Sequence, residues 1–174
     1  MRLRRFWGAE NIKTACLVFT MSDLSFRFAC ESDFKFVWAG RVEIAEIEKF
    51  VIPDIEKDKT RVLSAIKNQK IRLALINGKP AGFIWFTISN ATPFGVDYGP
   101  FDRSYAYINY VYVHPDFRKR RVGTSLYDEL GDYCRQNGVK ELICDVFEIN
   151  KGSKKFHKGL GFKPFVSLYS KKLD

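Results

Sequence analysis

Leu24-Ser25-Phe26-Arg27-Phe28-Ala29 alternates apolar and polar positions as a half-buried strand does, and Glu31-Ser32-Asp33 supplies turn and helix-capping chemistry directly after it. Val37, Ile44, Ile47 and Val51 then recur at helical spacing. Pro53-Asp54 separates them from a second helix with Ile55, Val62 and Ile66 on one face. Two strand-like runs, Ile71 to Ile76 and Ala81 to Ser89, flank Asn77-Gly78, so the pattern predicts a hairpin. Tyr105 to Val113 is apolar on both faces apart from Asn109, which suits a central strand covered on two sides. Leu126, Tyr127, Leu130, Tyr133 and Cys134 form the apolar stripe of a third helix that Asn137-Gly138 closes. A fifth strand is predicted over Leu142 to Phe147, a fourth helix over Asn150 to Leu160, and one or two closing strands over Phe162 to Leu173.

Between the third and fourth strands, Asn90 to Ser104 carries Pro93, Gly95, Gly99 and Pro100 and reads as a long loop, a kind that is often functional. Its Phe94, Asp97, Tyr98, Phe101 and Asp102 suit reception of a cationic amine or simple inward packing of aromatics. No repeat, low-complexity tract or linker interrupts the chain. Its 174 residues, 46% hydrophobic and 16% aromatic, suit one domain with a real core.

The excess of 29 Lys and Arg over 20 Asp and Glu, a net charge of +9, favours anionic partners. Nucleic acid fits less well, because no aromatic-basic single-strand signature, zinc-finger spacing or basic tail is present. Cys16, Cys30, Cys134 and Cys144 are scattered, which points to a reducing, cytoplasmic setting, and Cys134 and Cys144 read as buried small hydrophobes. With His114 and His157 far apart and without clustered partners, no metal is expected. Met1-Arg2-Leu3-Arg4-Arg5 and the apolar stretch from Ala15 to Met21 imitate a signal peptide, but Glu10 and Lys13 interrupt it. Residues 1–20 are therefore expected to be an extension or the product of an upstream start, with the domain proper over 21–174. No apolar run is long enough to span a bilayer.

Val111-Tyr112-Val113-His114-Pro115-Asp116-Phe117-Arg118-Lys119-Arg120-Arg121-Val122-Gly123-Thr124-Ser125-Leu126 breaks from a strand into a basic loop and re-enters as a helix. Backbone amides at a helix start, with the helix dipole behind them and cations around them, form an anion cradle. The segment resembles motif A of the GNAT superfamily of acetyl-CoA-dependent N-acetyltransferases, through Val113, Pro115, Arg118 and Gly123. Arg121 stands where that motif usually has its first glycine. It implies either a backbone angle an arginine tolerates or a reshaped cradle, and it completes four consecutive cations from Arg118 to Arg121 beside a polyphosphate.

Asp145 to Phe162 resembles motif B of the same superfamily: Asn150, Gly161 and Phe162 match in identity and spacing, while His157 takes the place of a tyrosine. The two motifs stand in the expected order and separation. The resemblance implies a single α/β (α+β) domain: a mixed, mostly antiparallel sheet with helices on both faces, in which strands four and five lie parallel and splay apart around the pantetheine arm. It implies acetyl-CoA as cosubstrate, held by Val111, Tyr112, Val113, Arg118, Lys119, Arg120, Arg121, Val122, Gly123, Thr124, Asn150 and His157. His157 would protonate the leaving thiolate, as imidazole can near neutral pH, or would only pack beside coenzyme A. Asp145 stands where related enzymes often carry a basic glutamate and would act through an ordered water, with Tyr107 as an alternative proton relay. His114 is expected at the surface.

The function implied is transfer of an acetyl group to a primary amine by direct attack, on a peptide N-terminus, a lysine or a small molecule. The alternative is a noncatalytic module that binds acyl-CoA or a partner through its basic surface. The partners expected are acetyl-CoA and an amine acceptor, without a membrane, for a monomer or homodimer.

Overall fold

The structure, a computed structural model, describes residues 24–91, 104–164, 166–171 and 173. The expected extension over residues 1–20, Cys16, and the loop residues Phe94, Asp97, Tyr98, Phe101 and Asp102 lie outside the described residues. Five strands form one sheet in chain order: β1 (Leu24–Phe28), β2 (Ile71–Ile76), β3 (Lys79–Ser89), β4 (Tyr105–Val113) and β5 (Glu141–Cys144). Neighbours pair antiparallel except β4 with β5, which are parallel. Asn77 and Gly78, with φ of 51° and 74°, adopt the left-handed conformation that a two-residue hairpin turn between β2 and β3 requires.

Helices α1 (Phe34–Ile47) and α2 (Ile55–Lys67) cover one face of the sheet, and α3 (Val122–Gln136) with α4 (Lys151–Gly159) the other. Alternation along β3 divides the core between them. Phe83 and Trp85 pack with Val37, Val62 and Ile66, whereas Ile84 and Phe86 pack with Leu126 and Leu130. Each such buried side chain contributes about 1.5–3 kcal/mol by leaving water. Gly82 allows β3 to run close under β4, since a Cβ there would lie 2.6 Å from the Tyr112 carbonyl oxygen.

Two predicted boundaries shift and one predicted element does not form among the described residues, each for a local reason. Helix α1 stops at Ile47, because Lys49 turns left-handed (φ 53°) and the Phe50 N–H donates to the Ala45 carbonyl at 2.8 Å, leaving Val51 outside the helix and 79% exposed. Strand β5 ends at Cys144 rather than Phe147, since β4 offers it no partner beyond Ile108. No closing strand forms among the described residues after α4. Gly161 (φ 88°) ends that helix and Phe162 folds back onto Tyr127 and His157, while Pro164 lacks an N–H and Leu168 and Tyr169 stand almost wholly exposed.

Candidate active site

The pairing of β4 with β5 covers only Tyr105 to Ile108 against Glu141 to Cys144. On the opposite edge of β4, Trp85 faces Tyr110 and Phe86 faces Ile108, so Asn109 is an inserted bulge residue. A bulge bends its strand, and this one lies where β5 departs. A cavity of about 890 Å³ opens in the wedge, walled by α1, β4, the start of α3, the end of β5 and α4.

One wall carries the basic loop. Val111, Tyr112, Val113, Arg118, Lys119, Arg121, Val122, Gly123 and Thr124 line it, as do Asn150 and His157. Arg120 does not; its guanidinium lies over the Phe117 ring at 5.7 Å, so the expected row of four cations at the wall is three. Arg118 in turn is tied into the frame. Its Nε donates to the Val113 carbonyl at 2.9 Å and its Nη2 to Glu43, which also accepts the Tyr112 hydroxyl at 2.7 Å. Burial opposes ionisation of Glu43, but these two hydrogen bonds outweigh it and hold the carboxyl below its usual range.

Lys119 and Arg121 both adopt left-handed backbone angles, φ 59° and φ 63°. Arg121 thus keeps the conformation a glycine would choose, where a side chain costs about 1–2 kcal/mol. Gly123 is small for a different reason: a Cβ there would lie 3.1 Å from Phe156 Cζ, so its absence seats α4 against α3.

The other end of the cavity gathers carboxylates. The Tyr107 hydroxyl donates to Asp145, bringing together two residues proposed from sequence. Burial, reinforced by that carboxylate, pushes the Tyr107 phenol well above its usual range and keeps it a donor. Asn150 caps α4 by accepting the Ser153 N–H at 3.0 Å, and its Nδ2 donates to Glu48 at 3.2 Å. Burial, with the nearby Asp145 charge, raises the Glu48 carboxyl above its usual range against the opposing Asn150 bond and Arg41 charge. Below this end, buried Arg41 (3% exposed) sets its Nε 3.1 Å from Asp58 Oδ2 and stacks 4.5 Å from the Tyr110 ring centroid.

The raised Glu48 value has a sign. A carboxyl whose folded value lies above its unfolded one favours folding below the unfolded value of about 4.3, and that contribution is lost as pH rises through the folded value. Glu48→Gln keeps an acceptor oxygen for Asn150 and is expected to raise stability at pH 7, with the gain fading by pH 4. Urea unfolding at the two pH values checks this.

His157 is 6% exposed. Its Nδ1 lies 2.8 Å from the Ser153 carbonyl, which can only accept, so Nδ1 carries the hydrogen and Nε2 accepts the Tyr127 hydroxyl at 2.6 Å. Burial lowers its basicity, the Ser153 bond opposing in part. A neutral imidazole with both nitrogens engaged is a poor proton donor as it stands, which favours the packing alternative over the acid. His114 is half exposed and pairs with Asp116 at the protein surface. Cys30, Cys134 and Cys144 are free thiols, and burial pushes Cys134 to about 11 and Cys144 to about 12, values that suit packing rather than nucleophilic attack. Among the described residues no three His, Cys, Asp or Glu side chains gather as metal ligands would, and no helix is long and apolar enough to cross a membrane.

Four residues of the site and its support escaped the sequence. Tyr127 looked like one more member of the α3 stripe, Glu48 had no spacing to mark it, and the Arg41–Asp58 pair exists only once α1 packs on α2.

A sheet split between its fourth and fifth strands, with a basic turn on one side of the split and an Asn-capped helix on the other, is the arrangement of the GNAT fold. The acetyltransferase (GNAT) family model matches residues 41–162, which include both motifs, and the chain belongs to that family. It is 36% identical over 93 residues to an uncharacterised N-acetyltransferase of Methanocaldococcus jannaschii, a match covering 51% of this chain and 36% of that relative; the chain thus matches about a third of the relative's length. A possible acetyltransferase of Clostridium difficile 630 shares the fold with a TM-score of 0.68 at 14% identity, over 87% of this chain and 99% of that one. So does a predicted acetyltransferase of Clostridium acetobutylicum solved with acetyl-CoA, with a TM-score of 0.65 at 17% identity over 86% and 96%.

Proposed function

We propose that this protein transfers the acetyl group of acetyl-CoA to a primary amine. The observation that carries the proposal is the wedge between β4 and β5, where the cradle of Val111 to Thr124 and the Tyr107–Asp145 pair open onto one cavity. The residues fit the cosubstrate. The β5-facing edge of β4 beyond Ile108 is left unpaired by β5, and the left-handed Lys119 and Arg121 turn the chain where successive amides can meet a pyrophosphate.

Acetyl-CoA supplies the activated thioester; the amine nitrogen bonds to its carbonyl carbon as the carbon–sulfur bond breaks, and the departing thiolate takes a proton from water. The backbone N–H groups of Val111 and Val113, which alternate with those turned to β3, orient the pantetheine and polarise the carbonyl. Asp145, held by the Tyr107 hydroxyl, removes a proton from the attacking amine, directly or through one water. His157 and Tyr127 form a buried pair that fixes α4 against α3 and shapes one wall of the cavity.

Free thiol released from acetyl-CoA only when a primary amine is added is the expected result. Binding of coenzyme A without turnover on any amine would instead leave the noncatalytic acyl-CoA module standing. Arg121→Gly tests the cradle itself. Glycine relieves the left-handed angle, so stability is expected to hold or rise by up to about 1 kcal/mol. Loss of the guanidinium is expected to weaken coenzyme A binding roughly fivefold by calorimetry.

A further inference from the structure

Beside the carboxylates, the cavity mouth is apolar in a way that the chemistry of acetyl transfer does not require. Ile47, Phe50 and Phe147 line the same cavity as Glu48 and Asp145, yet remain 47%, 41% and 46% exposed. Large apolar side chains left this open around a concave site mark a surface that another molecule covers. The two phenylalanines meet across the mouth with ring centroids 6.4 Å apart, joining the turn after α1 to the segment after β5. The left-handed Lys49 sets Glu48 and Phe50 on either side of one turn, so a carboxylate and an aromatic ring reach the cavity from positions two apart.

The charges narrow the occupant. Glu48 and Asp145 complement one ammonium group, whereas Arg41 and Arg61 line the same cavity and share the single carboxylate of Asp58, at 3.1 Å and 3.9 Å. A polycation would set its further charges against those guanidiniums. A single amine with a bulky apolar group one or two carbons away places its nitrogen at the carboxylates and that group between Phe50 and Phe147. A peptide amino terminus with a large apolar first side chain has this shape; on a lysine side chain the nearest variable group lies several bonds from the nitrogen.

We infer that the acceptor is the terminal amine of a peptide that begins with a bulky apolar residue, with Ile47, Phe50 and Phe147 as the subsite for that side chain. This rests on the acetyltransferase reading above. The test is thiol release by the full chain from acetyl-CoA with peptides identical except for a first Leu, Ser or Asp. An N-terminally blocked peptide with one lysine and a polycationic aminoglycoside complete the panel.

The Leu peptide is expected to show kcat/KM at least about 10-fold above the Ser and Asp peptides, the scale of discrimination by an apolar pocket. The double substitution Phe50→Ser and Phe147→Ser is expected to bring it down to the Ser peptide through KM. Calorimetry with coenzyme A confirms that the variant is folded, and the unsubstituted chain decides the preference even if it is not. Equal use of the three peptides, or better use of the blocked lysine peptide or the aminoglycoside, overturns this inference alone. Failure to acetylate every amine overturns the acetyltransferase reading with it.

Discussion

Asp145→Asn is expected to lower kcat/KM for acetyl transfer by about 100-fold or more, within the range that a positioned general base contributes. The substitution isolates the chemistry because asparagine keeps the size of the side chain and an oxygen that accepts the Tyr107 hydroxyl, but has no carboxylate to take a proton. Coenzyme A affinity is expected to remain within about twofold, since the cradle lies on the other wall. Tyr107→Phe should cost less, about 10-fold, because it removes only the group that holds the carboxylate. Joined to Asp145→Asn it should add little, as residues acting as one unit do. Stopped-flow or steady-state thiol release with one accepted amine measures all three. Unchanged turnover in Asp145→Asn would remove it from the mechanism and pass the role of base to Glu48, the other carboxylate lining that end of the cavity.

Arg41→Met is expected to destabilise the fold by about 3–5 kcal/mol, the penalty for leaving one member of a buried ion pair alone. Asp58 is nearly as buried as its partner, and with Arg41 gone its nearest cation is Arg61 at 3.9 Å, half exposed to water. The loss also removes a guanidinium stacked between the rings of Tyr110 and Phe50. For a chain of this size the midpoint of thermal unfolding should fall by roughly 10 °C. The double change Arg41→Met and Asp58→Leu should recover most of that, because the desolvation of both charges disappears together. Thermal and urea unfolding of the single and double variants decide the matter. A double variant as unstable as the single one would show that the pair is not what holds α1 to α2.

What could be read in advance was what a few consecutive residues encode. Asn77-Gly78 carries its own left-handed turn, and Val113, Pro115, Arg118 and Gly123 set the turn from β4 into α3 within eleven positions. Asn150 opens the expected fourth helix, and the structure makes it the cap of that helix. The site's other half depends on distance along the chain: Glu48 meets Asn150 across 102 residues, and Tyr127 meets His157 across 30. No periodicity records such meetings. Val51 shows the complementary failure, because its helical spacing was sound but a non-glycine residue, Lys49, took the left-handed angle that ended the helix before it.

Strand β4 presents two kinds of edge along its length, one that β3 pairs throughout except at the Asn109 bulge and one that β5 pairs for only four residues. Where β5 has left, that edge of β4 suits an extended molecule that carries amide groups of its own, as a pantetheine arm does. On the proposed function the cosubstrate would be a piece of secondary structure as much as a reagent, lying where another strand would run. Amide hydrogen exchange at Val111 and Val113 should slow when coenzyme A binds, and melting temperature should climb with its concentration. On that reading a cell rich in acetyl-CoA and coenzyme A would hold more of this protein folded, coupling its lifetime to the supply of its cosubstrate.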